Sequence, residues 1–102
     1  MVHRFADSRL LSNLLQHEKE YAKSLNSQLE HSQVSIASFS AFAAASPPPT
    51  SYAIHTIVGA LIGADDGFRR YLLSVEEWVE MLKSLKEMEE DVGSVMRDRE
   101  IL

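Results

Sequence analysis

Apolar residues recur at alternating intervals of four and three along the first part of the chain, the spacing of a helix that packs through one stripe. The stripe consists of Leu11, Leu15, Glu18, Ala22, Leu25, Leu29, Ser32, Ile36, Phe39 and Ala43. Its polar members, Glu18 and Ser32, are expected to fix the register of helix pairing at some cost in stability. Asp7 or Ser8 is the expected N-cap residue. The alternation at residues 34–39 also fits a strand, but the helical period on both sides outweighs it.

Three consecutive prolines, Pro47 to Pro49, end this helix because proline has no backbone N–H and clashes with the preceding turn. Thr50 and Ser51 then offer a new N-cap. A connection this stiff and short suits two antiparallel neighbouring helices better than two independent domains. The sequence therefore predicts an all-α fold, a long antiparallel helical hairpin of the coiled-coil type. Residues 1–102 are expected to form a single helical module, with helices at 7–46 and 51–102 and a turn at 47–50.

The second half of the chain carries an apolar stripe of its own. The stripe begins with Ile54, Ile57, Val58, Leu61 and Ile62 and continues through Tyr71, Val75, Trp78, Leu82, Leu85, Met88, Val92 and Val95. Two successive three-residue steps, from Leu82 to Met88, predict local overwinding of the helix. Further apolar residues lie off this stripe, namely Leu72, Leu73, Val79, Met81 and Met96. One partner helix cannot cover two faces, so the pattern predicts that a second hairpin packs against the first.

A homodimer that forms an elongated helical bundle is therefore expected, with its interface centred on the second helix. The predicted interface residues are Tyr71, Val75, Trp78, Leu82, Leu85 and Met88. Trp78 is the expected anchor, because aromatic residues dominate the energetics of interfaces. The acidic run at residues 87–91 should stay outside the interface, since two copies of it in contact would repel each other.

The segment GADDG, residues 63–67, leaves two alternatives open. In one, the glycine ends a helix and an aspartate caps the next. In the other, which we favour, Gly59, Gly63 and Gly67 lie on one face of a continuous helix and pack closely against residues 32–43, which are rich in Ser and Ala. Gly63→Leu should then destabilise the fold by overpacking. A simpler interpretation is that each helical glycine costs about 1 kcal/mol.

Composition narrows the classes of function. The net charge is −5, and residues 50–102 hold six basic and eleven acidic side chains, which argues against nucleic acid and against strong anionic-lipid binding by this segment alone. The absence of cysteine excludes disulfides and thiolate metal sites and fits a reducing compartment. The first residues, MVHRFADSRL, lack the apolar core of a secretory signal. A cytoplasmic location, peripheral to a membrane, is expected.

No catalytic pattern is found. The histidines, His3, His17, His31 and His55, are scattered, and the acidic clusters have the pattern of a solvated face rather than of a metal loop. GALIGADDG lacks the Lys-Ser/Thr of a phosphate-binding loop. We therefore expect a non-enzymatic protein with no cofactor and no metal site.

Two close pairs of arginines stand out, Arg69 with Arg70 and Arg97 with Arg99. Arg97 and Arg99 are candidate lipid contacts, whereas the alternative is that both pairs bind neighbouring acidic residues on an exposed face. The terminal MRDREIL has no glycine C-cap, so the helix is expected to continue beyond Leu102 in a longer chain.

The segments LLQHEKEYAKSL, SIASFSAFAAASPPPTS, GADDGFRRYLLSVEEW and MRDREIL together resemble the N-terminal part of fungal BAR-family proteins of the inverted-BAR (IMD-like) type. The resemblance runs from about Asp7 to Leu102. It implies an elongated antiparallel dimer of helical hairpins that binds phosphoinositide-rich membrane peripherally and senses or shapes curvature. In some relatives it implies attachment to trafficking proteins. The chain departs from the family in being acidic, where the membrane faces of the family are rich in Lys and Arg, and in having about half the length of a full BAR domain.

Two functions follow as expectations. The first is a dimeric BAR-like scaffold for peripheral membrane binding and curvature sensing or shaping. The alternative is a coiled-coil protein-interaction module, a tether or adaptor stalk without lipid binding.

Overall fold

Two long α-helices make up the computed structural model, which describes the backbone of residues 5–101 and the side chains of residues 8–92. They are α1 (Phe5–Ala44) and α2 (Thr50–Ile101), and the described residues contain no strand. The predicted all-α helical hairpin is confirmed. Because α1 begins at Phe5, Asp7 and Ser8 lie inside the helix and neither is its N-cap.

The end of α1 is closed by local hydrogen bonds rather than by a glycine cap. The helix ends at Ala44, slightly before the predicted residue 46. The Ser46 hydroxyl donates to the carbonyl of Phe42 at 2.7 Å, and the N–H of Ser46 donates to the carbonyl of Ala43 at 3.2 Å. These bonds satisfy carbonyls that the last turn of a helix leaves without an intrahelical partner.

The prolines start α2 as well as ending α1. The N–H groups of Ser51 and Ala53 donate to the carbonyls of Pro47 and Pro49, each at 3.2 Å. Proline has a fixed φ and no N–H to satisfy, so it suits the entry to a helix. Helix α2 therefore begins at Thr50, and the first turn is bonded to proline carbonyls instead of being capped by Thr50 or Ser51. The Pro48–Pro49 peptide bond is cis.

The chain divides into two compact units, each containing a segment of both helices. The turn unit is residues 23–74 and contains the proline connection. The end unit joins residues 5–22 of α1 with residues 75–101 of α2.

Along α1 the predicted stripe is confirmed in full. Every member from Leu11 to Ala43 is buried or half-buried, including the two polar ones, Glu18 and Ser32. The most buried are Leu15 in the end unit and Leu25 and Ala43 in the turn unit. A strict alternation of four and three keeps one line of side chains on one side of the helix, which is why the pattern identified them.

Along α2 the predicted stripe is right only in part. The members that are buried or half-buried as predicted are Ile54, Val58, Leu61, Val75, Trp78 and Leu82, the exposed ones are Ile57, Ile62, Tyr71, Leu85, Met88 and Val92, and Val95 lies outside the described side chains. The buried and half-buried positions that keep a regular four–three alternation are Ile54, Val58, Leu61, Asp65, Phe68, Leu72, Val75, Val79, Leu82, Lys86 and Glu89. Leu72 and Val79 are 5% and 6% exposed, whereas Tyr71 and Met88 are 43% and 63% exposed. We call this buried line of side chains the seam of α2. The seam keeps its four–three spacing from Leu82 to Glu89, so the predicted double three-residue step is absent from it. Asp65, Lys86 and Glu89 are polar residues at seam positions. A search for regularly spaced apolar residues therefore did not detect the period of the seam.

The glycines of α2 do not make the close helix contact that we predicted. The GADDG segment is helical, as expected, because α2 is uninterrupted from Thr50 to Ile101. A Cβ built on Gly59 or Gly63 would meet nothing within 4 Å, and one on Gly67 would meet only the Arg70 guanidinium at 3.9 Å. Residues 58, 61 and 65 form the seam at this level, so the glycines lie on other faces of the helix.

Gly63→Ala should therefore stabilise the protein, by up to about 1 kcal/mol, rather than overpack it. The new methyl group enters open space, while alanine removes the entropic penalty of glycine in a helix. Thermal unfolding followed by circular dichroism measures the effect, which should raise Tm by several degrees. A lower Tm for this variant would show that the backbone of another helix does approach at residue 63.

Candidate interaction face

A second stripe of α2, separate from its buried seam, carries no charge. It comprises Ile57, Ala60, Ala64, Gly67, Tyr71, Ser74, Trp78, Met81, Leu85, Met88 and Val92. These residues also alternate at intervals of three and four, so they lie along one side of the helix. We call this stripe the uncharged face. The charged residues of α2 between Thr50 and Val92 lie elsewhere, either on the remaining positions of the helix or in the seam at Asp65, Lys86 and Glu89.

In the end unit the uncharged face borders an open groove of about 760 Å³. The groove is lined by Leu14, Glu18, Trp78, Glu80, Met81, Leu82, Ser84, Leu85 and Met88. Its lining is mainly apolar, and Leu14, Met81, Leu85 and Met88 are all exposed. The Glu80 carboxylate at the edge accepts from the Lys83 ammonium at 2.9 Å. The unbranched thioether side chains of Met81 and Met88 adapt readily to another apolar surface.

In the turn unit the two sides of the helix pair differ in charge. On one side, Gln28 and Ala64 line a cavity of about 190 Å³ together with Ser32, Asp65 and Phe68. On the other side, Gln33 and Ile62 line a cavity of about 220 Å³ together with Ile36, Asp65, Asp66 and Arg69. The uncharged face of α2 therefore meets the Gln28 side of α1, and the charged positions meet the Gln33 side.

Among the α1 residues with described side chains, those spaced seven apart from Gln28 are uncharged as well, namely Leu14, Tyr21, Ser35 and Phe42; the earlier position of this series, Asp7, is acidic. All four are exposed. Leu14 lines the groove of the end unit. Leu14 in the end unit and Gln28 in the turn unit thus each lie beside the uncharged face of α2.

A polar layer crosses the core of the turn unit. Asp65 is 8% exposed, and its carboxylate accepts a hydrogen bond from the Ser32 hydroxyl. From the sequence we considered the aspartates of the GADDG segment only as a helix cap, in one alternative, or as acidic neighbours of the arginines, and we missed the place of Asp65 in the seam. The four–three spacing of Val58, Leu61, Asp65, Phe68 and Leu72 is compatible with that place, but the stripe through Ala64, Gly67 and Tyr71 has the same spacing, so the spacing alone does not identify it.

The predicted interface residues fall into two groups. Val75 is 0% exposed and Leu82 is half-buried, so both belong to the core of the hairpin and correct our placement of the interface there. Tyr71, Leu85 and Met88 lie exposed on the uncharged face. Trp78 lies on that face and is half-buried, lining the groove.

Among the described residues, few of the charged side chains form ion pairs with each other. Lys83 pairs with Glu80 at 2.9 Å and Lys86 with Glu90 at 4.0 Å, and exposed pairs of this kind contribute about 0–1 kcal/mol each. No ion pair of the described residues joins Arg69 or Arg70 to Asp65 or Asp66, contrary to one of our two alternatives for these arginines. Arg97 and Arg99, the candidate lipid contacts, lie in α2 outside the described side chains.

Within the described part of the chain, no three His, Cys, Asp or Glu side chains are grouped closely enough to hold a metal ion. Among the described residues, neither helix has a stretch long and apolar enough to cross a membrane.

Comparison with models of protein families, with curated proteins and with solved structures finds no match for this chain.

Proposed function

We propose that this protein is a non-enzymatic helical scaffold that acts by packing its uncharged face against another helical surface. The observation that carries the proposal is the uncharged face itself, an outward stripe free of charge beside an apolar groove. Apolar surface left in water forfeits about 25 cal/mol for each Å² that could be buried. Contiguous apolar surface of this kind on a protein marks a site of association.

The spacing of the uncharged face favours a helix as its partner. Side chains at alternating intervals of three and four fit between those of a second helix, knobs into holes. The groove in the end unit is open along one side, and Met81 and Met88 are 71% and 63% exposed. A ligand pocket for a small molecule encloses most of its ligand. An open apolar groove that follows a heptad stripe suits a helical protein segment better.

Site-specific photo-crosslinking tests this function. A benzophenone amino acid is introduced at Leu85 on the uncharged face or, as the matched control, at Leu73, which is 61% exposed on another side of α2. The labelled chain is illuminated in the cells that produce it. Protein adducts should form from position 85 and not from position 73. Equal labelling from both positions, or none from position 85, would contradict the proposal.

A second candidate function is peripheral binding to anionic membrane, as the BAR-type resemblance implies. It is favoured by Arg69 and Arg70, adjacent exposed cations with no ion pair among the described residues. The surrounding charge opposes it, because residues 50–92 hold four basic and nine acidic side chains. Attraction to an anionic surface needs clusters of uncompensated cations.

Co-sedimentation with vesicles containing phosphatidylserine and phosphoinositide decides this second candidate. If it holds, the protein pellets with vesicles at low salt, and replacing Arg69 and Arg70 together by Ala abolishes pelleting. Lys83→Ala, the control, should leave pelleting unchanged because Lys83 already pairs with Glu80. Protein that remains in the supernatant at low salt would exclude the membrane role for this chain.

A further inference from the structure

We propose that the partner on the uncharged face is a second copy of this chain, lying antiparallel so that α2 packs on α2 with the two-fold axis between Trp78 and Met81. This inference rests on the proposed function and names the partner of the same face. A two-fold interface is self-complementary, since the same patch of each copy faces the other. A patch without charge satisfies that condition, because no like charges meet when it faces itself.

The end unit shows why a second layer of helices is needed. Its part of α2 has an inward stripe of Val75, Val79 and Leu82 and an outward stripe of Trp78, Met81, Leu85 and Met88. A helix that is apolar on two sides is characteristic of a bundle with more than two helices, in which each stripe meets a different neighbour. A second hairpin supplies an equally uncharged stripe at the same spacing.

Charge decides the orientation of the second copy. A parallel pair would set the acidic run at residues 87–91 beside the partner's identical run. An antiparallel pair instead sets this run opposite the part of the partner's α2 that carries Arg69 and Arg70. Opposite charges along an interface favour the orientation that brings them together, and like charges disfavour the orientation in which they meet. The antiparallel orientation is therefore favoured over the parallel one.

Charge also selects the register. The positions that flank the uncharged face on its solvent side lie seven apart and are Gly63, Arg70, Glu77, Ser84 and Asp91. In an antiparallel pair, each flanking residue meets a flanking residue of the other copy. With the axis between Trp78 and Met81, Glu77 meets the partner's Ser84 and Asp91 meets the partner's Arg70.

Neighbouring registers bring acidic residues together. A shift of the axis by half a heptad towards the start of α2 sets Glu77 against the partner's Glu77. A shift by half a heptad in the other direction sets Glu77 against the partner's Asp91. A shift of a whole heptad towards the turn avoids this conflict. It also takes the axis away from the groove and sets Trp78 and Met81 against the small side chains of the partner's Gly67 and Ala64.

The first test is the state of association. Sedimentation equilibrium at micromolar concentration should show a dimer for the wild type. Leu85→Glu should weaken dimerisation by about 30-fold or more, since a charge replaces an apolar contact at the centre of an interface. Leu73→Glu, on another side of the same helix, should leave the dimer intact. Both sites are exposed, so circular dichroism should show equal helix content in the two variants.

A monomeric wild type, or a dimer that Leu85→Glu leaves intact, would overturn the inference about the second copy. The proposed function would then be judged on the photo-crosslinks alone. Adducts between position 85 and other proteins would support the scaffold function with a partner other than a second copy. If no adducts form, both the scaffold function and the second copy are contradicted.

The second test measures the register with spin labels. The chain has no cysteine, so Leu73→Cys, Glu80→Cys and Glu87→Cys each introduce one label per copy at equivalent exposed positions of α2. The proposed axis lies close to residue 80. The two labels at position 73, and likewise those at 87, should be offset by about 20 Å along the helix, while those at 80 show almost no offset. A parallel dimer would give three equal distances, and the heptad-shifted register would give distances that rise steadily from 73 to 87; either result overturns the proposed arrangement.

Discussion

Leu72→Ala should reduce the free energy of unfolding by about 2–5 kcal/mol, whereas Leu73→Ala, the next residue along α2, should change it by less than about 0.5 kcal/mol. Leu72 is 5% exposed and Leu73 is 61% exposed. Truncating the first removes buried methyl groups and leaves a cavity in the seam, while truncating the second removes side-chain atoms that already contact water. The two variants have the same change of chemistry on the same helix, so the difference between them reports burial alone.

Chemical denaturation followed by circular dichroism measures both variants. They must be compared with the wild type at one protein concentration, because association adds to the apparent stability in a concentration-dependent way. A loss for Leu73→Ala as large as that for Leu72→Ala would mean that the seam of α2 does not follow the observed line through Leu72, Val75 and Val79. Loss of most helical signal in Leu72→Ala at room temperature remains consistent with the expectation, because a small helical hairpin has little stability to spare.

The contrast between the two helices shows where sequence reasoning succeeded. On α1 the seam is the most regular line of apolar residues, and its polar members, Glu18 and Ser32, were included because the spacing required them. The prolines specified the turn because their backbone chemistry excludes a continuing helix. Both inferences depend on local covalent and steric rules, which a single sequence contains in full.

On α2 the same reasoning mixed two lines after Leu61, because it took Val75 and Leu82 from the buried seam and Tyr71 and Leu85 from the exposed stripe beside it. Two stripes with the same heptad spacing run side by side, and the outward one, through Tyr71, Trp78 and Leu85, contains no charge. The inward one contains Asp65, and later also lysine and glutamate, so a count of apolar residues favours the outward stripe. Which of two such stripes meets α1 is decided by the packing of the pair, and a single sequence does not record it.

The candidate site was therefore found only in part. Tyr71, Trp78, Leu85 and Met88 were assigned to an intermolecular interface because the second helix has more apolar residues than one partner can cover, and the structure places them outside the buried seam. The glycines were misjudged for a related reason. Their spacing suggested a shared face, but the face they occupy follows from the seam, and the seam at that level runs through Asp65.

Ser32→Ala should destabilise the protein by about 1–3 kcal/mol, a large loss for the removal of one oxygen atom. The Ser32 hydroxyl donates to the carboxylate of Asp65, which is 8% exposed within the core of the turn unit. The variant leaves that carboxylate in place and removes this donor, so a buried charged group loses a hydrogen bond that water cannot fully replace. Ser38→Ala is the control. Its exposed hydroxyl donates to the Val34 carbonyl at 3.0 Å within the same helix, and its removal should change stability by less than about 0.5 kcal/mol.

Replacing both Ser32 and Asp65 by apolar residues should restore the stability that Ser32→Ala alone removes. Ser32→Ala combined with Asp65→Leu removes the hydroxyl and the carboxylate together, and the stability should return to the wild-type value or exceed it, because apolar residues can replace a buried polar pair without an unsatisfied group. The register of the two helices should become less specific, since a single buried polar layer is a means of fixing it. Urea denaturation of the two single variants and the double variant gives the coupling energy directly. A coupling energy near zero would show that the hydrogen bond contributes nothing to stability, and a double variant less stable than Ser32→Ala alone would show that Asp65 is held in the core by more than its contact with Ser32.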